Sequence, residues 1–162
     1  MPTGTGSPTS RADLRRLVAD LRGSYDYWDT GSRATLRELL VNEGVAVAAA
    51  QAAAPGFEPW EYFGYARRQF RRCRELDAFL RRASAPELDQ RGLGFRLRYL
   101  SGGTRATARL AGGKVLPERS GYYLGLRLVE PYLAEAGVAA AVRAAAPEFQ
   151  RADERALGIQ TA

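Results

Sequence analysis

The stretch from Thr35 to Ala50, TLRELLVNEGVAVAAA, sets the strongest limit on how this chain can fold. Wound at about 100° per residue, it puts Leu36, Leu39, Leu40, Ala46, Val47 and Ala50 on one side of a helix, with Glu43 among them. Thr35 with Glu38 three residues on is a capping-box start, Ser32 being the other candidate, and Pro55-Gly56 ends the segment. Glu38 and Asn42 lie on a different side, so Glu43 is the position that breaks the pattern. Burying a carboxylate without a partner costs several kcal/mol. Glu43 is therefore an ion-pair or boundary residue, or else a metal ligand or part of a polar site. The pattern leaves these alternatives open.

With 162 residues, 46% hydrophobic and 26% charged, the chain has enough apolar surface for one real core. The expected class is mainly α: a helical single domain over 11–158 with a small antiparallel β-hairpin insert near 93–117, after a disordered tail at 1–10. No apolar run approaches the ~20 residues of a membrane span. Met1 to Ser10 lacks the basic and apolar regions of a secretion signal, so a cytoplasmic location is the default expectation. One cysteine, Cys73, excludes an intramolecular disulfide and suits a reducing compartment.

The count of histidine is zero. That removes the usual general base near neutral pH and the commonest metal ligand, and with it Ser-His-Asp, Cys-His and HExxH chemistry. The net charge is +6, and Lys114 is the one lysine among 24 basic residues. Such arginine bias also follows from a GC-rich genome, so the charge alone does not point to nucleic acid.

Leu14, Leu17, Val18 and Leu21 mark a first helix over about 11–22, followed by the aromatic connection Ser24 to Gly31. From Pro59 to about Ala83 the spacing of Trp60, Phe63, Phe70, Cys73, Leu76 and Leu80 predicts one long helix. Cys73 lies in its apolar seam and reads as a small buried hydrophobe. Arg67, Arg68, Arg71, Arg72, Arg74, Arg81 and Arg82 occupy the other faces, offset by Glu75 and Asp77, with no nucleic-acid motif alongside. Leu93, Phe95, Leu97 and Tyr99 then alternate with Gly94, Arg96 and Arg98, which predicts a strand; Ser101-Gly102-Gly103 turns the chain, 104–110 returns, and Ala111 to Lys114 is a second turn. Leu124, Leu128 and Tyr132 predict a helix over about 121–136, in which Pro131 makes a kink or begins a new turn and after which Gly137 breaks the chain, with Gly121 and Gly125 spaced for close approach of another backbone. Short helices over 138–146 and from Pro147 to about Leu157 complete the chain.

The order of Tyr25-Asp26-Tyr27-Trp28, Asn42-Glu43-Gly44-Val45-Ala46, Pro59-Trp60-Glu61-Tyr62 and Ser120-Gly121-Tyr122-Tyr123-Leu124-Gly125-Leu126-Arg127-Leu128-Val129-Glu130 resembles a family of bacterial zinc-dependent peptidases similar in plan to the gliding-motility lipoprotein B group. The resemblance implies a thermolysin-like site, in which an HExxH helix gives two histidine ligands and a glutamate base and a following helix gives a third, glutamate ligand. Carried over, Glu43 matches the metal-ligand position, and Tyr122 or Tyr123 the glycine-flanked tyrosine that could stabilise an oxyanion. The HExxH positions fall on Asp20, Leu21 and Ser24, which cannot replace it.

The resemblance therefore implies a metallopeptidase-like domain that is degenerate as written, with no zinc expected although zinc is the family's cofactor, and with Arg22 or Arg119 as candidates to neutralise Glu43. The alternative is a helical interaction module whose arginine-rich face meets an acidic partner; a peptide or protein is favoured over nucleic acid, and no membrane is implied. A third reading is a metal-independent enzyme using Glu43 with Tyr122, Tyr123 or Arg119.

Overall fold

The computed structural model describes residues 33–156. The expected helix over 11–22, the aromatic connection and the positions of Asp20, Leu21, Arg22 and Ser24 lie outside these residues. Helix α1 spans Leu36–Ala53. Its capping box is formed: the Glu38 backbone N–H donates to Thr35 Oγ1 at 3.2 Å, and the Thr35 backbone N–H donates to the Glu38 carboxylate at 2.6 Å. Twelve of its 18 residues are buried, so it runs through the molecule instead of lying on it. That is why its sequence is almost wholly apolar beyond the first turn.

The expected long helix is three helices: α2 Pro59–Tyr62, α3 Arg67–Glu75 and α4 Asp77–Ser84. Gly64, at φ 65°, turns the chain after α2, and Leu76 leaves helical geometry at φ −99°, ψ 8° between α3 and α4. The seam survives both breaks. Phe63, Cys73 and Leu80 are buried, and Trp60, Phe70 and Leu76 pack against the same core.

Leu93–Tyr99 is a helix, α5, where alternation predicts a strand. A period of two over seven residues also places Phe95 and Tyr99 four apart on one helix face. A strand needs a neighbour, and the one sheet among the described residues is a hairpin of β1 Leu110–Ala111 and β2 Lys114–Val115, turned through Gly112 and Gly113. Ahead of it, Ala106–Arg109 is a 3-10 turn and not a returning strand. The hairpin insert is thus present, shorter than expected.

Helix α6 covers Ser120–Ala141. Pro131 sits inside it, and the break falls at Gly137, with φ 78° and ψ 172°. A proline removes one backbone donor, whereas a glycine is free to leave helical space altogether. Helix α7, Ala146–Ala156, closes the described chain.

α1 and α6 form the centre. A Cβ built on Gly125 would lie 2.1 Å from the Leu40 carbonyl oxygen, and one on Gly44 would lie 2.1 Å from the Gly125 carbonyl oxygen. The close approach expected at Gly121 and Gly125 is therefore made by the α1 backbone at Gly125 and by the Tyr99 carbonyl oxygen of α5, with the Leu40 and Leu100 side chains, at Gly121. One core packs Leu36, Leu40 and Val47 with Phe63, Tyr99 and Leu124; a second joins Val41 and Val45 to Val129 and Phe149. The architecture is mainly helical with a small hairpin. No helix among the described residues is long and apolar enough to cross a membrane.

Candidate functional site

Glu43 is 6% exposed on α1, beside the Gly44–Gly125 contact. The residue takes part in an interaction among its surroundings, while its Oε2 oxygen is buried without a hydrogen bond of its own. Its neighbours in sequence explain why it is buried: α1 must lie against α6 closely enough for backbones to touch, and this carries residue 43 inward.

The N-terminus of α6 brings Arg119, Tyr122 and Tyr123 into one neighbourhood. Arg119 adopts a left-handed backbone at φ 55°, rare for a residue with a side chain. The Tyr65 hydroxyl donates to the Arg119 carbonyl oxygen and accepts the Tyr123 backbone N–H at 3.3 Å. The Arg119 guanidinium donates to the carbonyl oxygens of Phe63, at 3.4 Å, and Gly64, at 3.3 Å. It also lies 4.8 Å from the Tyr122 ring centre and 5.9 Å from that of Tyr65. The contacts of the Arg119 guanidinium are thus with main-chain carbonyls and aromatic rings. Nη1 and Nη2 each give one hydrogen bond to the chain segment that follows α2.

Tyr122 and Tyr123 diverge. Tyr122 is half-buried beneath Arg119, whereas Tyr123 is buried and its hydroxyl donates to Asp77 Oδ1 at 3.0 Å. The same oxygen accepts Arg127 Nε at 3.0 Å, and Arg127 reaches on to Glu130. Burial, and then the hydrogen bond and charge of Asp77, push the Tyr123 phenol well above its ordinary range. Burial likewise raises Tyr65 strongly and pushes the Cys73 thiol up to about 12. Cys73 is fully buried, as its place in the seam implies, and is a protonated thiol at neutral pH. Asp77 does not balance the arginine run as the sequence suggests, because it is committed to Tyr123 and Arg127. Tyr65, Asp77 and Arg127 are the members of this network that sequence reasoning missed. Their partners are far along the chain, and no local signal marks them.

The described residues thus form a helical scaffold with a buried glutamate on its central helix and a glycine-flanked tyrosine pair on the helix packed against it. The chain belongs to the family described as predicted Zn-dependent protease (DUF2268), whose family model matches residues 23–151. No curated protein and no solved structure matches the chain.

The donors do not fit the zinc that this family implies. A thermolysin-type centre takes two imidazoles and a carboxylate, and histidine is absent from all 162 residues. Among the described residues no group of three or more Cys, Asp or Glu side chains is placed to hold a metal ion. Glu43 is one carboxylate without imidazole companions.

Proposed function

We propose that this chain keeps the scaffold of a zinc protease but not its hydrolytic centre, and that it binds polypeptide without cutting it. The zero count of histidine in a chain that belongs to a zinc-protease family carries this conclusion. Glu43 stands as a buried carboxylate at the position that the resemblance matches to the third ligand. Arg119 and Tyr122 form the polar pair that meets a bound chain, and Tyr65 holds the turn that presents them, through the Arg119 carbonyl oxygen and the Tyr123 backbone N–H. The Glu-Gly-Val-Ala and Gly-Tyr-Tyr-Leu-Gly segments support a relation in plan to the gliding-motility lipoprotein B group.

The test is incubation of the purified protein with denatured casein and added zinc, followed by mass spectrometry of the products. The expected result is intact casein, with no difference between samples with zinc and with chelator. Zinc-dependent cleavage that is lost in Glu43→Gln would overturn the proposal.

A further inference from the structure

Helix α3, Arg67–Glu75, presents Arg67, Arg68, Arg71, Arg72 and Arg74 on exposed positions, and its inward contribution is the buried Cys73 with half-buried Phe70. The first turn holds no acidic residue, and Ala66 gives no side-chain cap. Arg67 and Arg68 thus place positive charge at the positive end of the helix, an arrangement that costs a few tenths of a kcal/mol per charge. With Asp77 committed elsewhere, Glu75 is the acid left on this face. Its carboxylate lies 3.8 Å from Arg71 and 3.4 Å from Arg72, in pairs that are largely solvent-exposed and therefore weak. Arg68 has no carboxylate partner among the described residues. Arg68, Arg71, Arg72 and Glu75 line an open groove of about 430 Å³, enough for a few side chains.

We propose that this groove docks an acidic segment of a polypeptide partner, with carboxylates of the partner taking the place that Glu75 now holds between Arg71 and Arg72. Guanidinium forks at three- and four-residue spacing match carboxylates presented one helical turn apart. Glu75 shows that the groove admits a carboxylate between Arg71 and Arg72. The rings beside the groove offer no stacking platform for bases, since Arg67 lies over Trp60 and Arg74 over Phe70, at 5.5 and 5.9 Å. The docking surface stands on the charge of α3 and is independent of whether the protein cleaves peptides.

The experiment is fluorescence anisotropy of the whole protein with a labelled polyglutamate peptide, beside a Gly-Ser peptide, a single-stranded oligonucleotide of similar length and phosphatidylserine vesicles. Polyglutamate is expected to bind best. Arg68→Glu with Arg71→Glu should weaken it ~10-fold or more, and Glu75→Gln should tighten it ~2- to 5-fold by removing the resident competitor. Circular dichroism checks the fold, and the Arg68→Gln, Arg71→Gln pair serves if the charge-reversed protein does not fold. Polyglutamate binding no tighter than the Gly-Ser peptide, or unchanged by either arginine pair, would overturn the docking surface. Tighter arginine-dependent binding of the oligonucleotide or the vesicles would overturn the partner class.

Discussion

Gly44 and Gly125 meet backbone to backbone, so that a methyl group on either would lie 2.1 Å from a main-chain atom of the opposite helix. The residue just before Gly44 is the buried Glu43, and the Tyr122-Tyr123 pair lies one turn before Gly125. The packing glycines therefore fix where the polar residues of the candidate site lie. The glycine of the Glu-Gly step serves the helix crossing, whether or not the glutamate still holds a ligand.

Gly125→Ala should destabilise the protein by ~1–3 kcal/mol or more, since the obstacle is backbone and cannot rotate away. Gly44→Ala should cost a similar amount, and the double variant less than the sum, because separating the helices once relieves both clashes. Urea unfolding followed by circular dichroism measures each. A neutral Gly125→Ala would mean that the helices do not touch there.

Arg119→Gly should be more stable than Arg119→Ala by ~1 kcal/mol. Both variants lose the guanidinium contacts with Phe63, Gly64 and Tyr122, but only glycine adopts φ 55° without strain. Equal melting temperatures would contradict the left-handed turn at the start of α6.

Tyr123→Phe should cost ~1 kcal/mol, because Asp77 keeps Arg127 after losing the phenol. Asp77→Ala should cost more, ~2–3 kcal/mol, since it leaves both the Tyr123 hydroxyl and Arg127 without this acceptor. Equilibrium unfolding of the two variants decides, and Tyr123→Phe as costly as Asp77→Ala would argue against Asp77 as the centre of the network.

Stability should fall as pH rises from about 9 to about 12. The Cys73 thiol has its ordinary value of 9.0 when unfolded and is raised to about 12 by burial when folded. In that window the folded state holds a proton that the unfolded state has released, so each pH unit costs ~1.4 kcal/mol per such group. Tyr65, Tyr99 and Tyr123, all raised chiefly by burial, add to the slope above about pH 10. Cys73→Ala should flatten the profile between pH 9 and 10. An unchanged profile would mean that the thiol is not buried in the native state.

The sequence announces some of this and conceals the rest for identifiable reasons. The Thr35–Glu38 capping box, the inward Glu43 and the close-packing Gly121 and Gly125 are local patterns with one geometric meaning each, and they appear as expected. Leu93 to Tyr99 misleads because a short alternating run fits a helix face as well as a strand, and pairing with another strand is a tertiary fact. The long helix from Pro59 divides because apolar spacing continues across the breaks at Gly64 and Leu76, where backbone angles change. Asp77 looked like a counter-charge for its arginine neighbours, but its partners Tyr123 and Arg127 lie 46 and 50 residues away. The missing imidazoles needed only counting.

The most direct test of the account is the zinc content of the purified protein, measured by inductively coupled plasma mass spectrometry after exposure to excess zinc and desalting, for wild type and Glu43→Ala. The account predicts far less than one zinc per chain in wild type and no change in the variant. One zinc per wild-type chain, lost in Glu43→Ala, would contradict it and restore Glu43 as a ligand of a working metal centre.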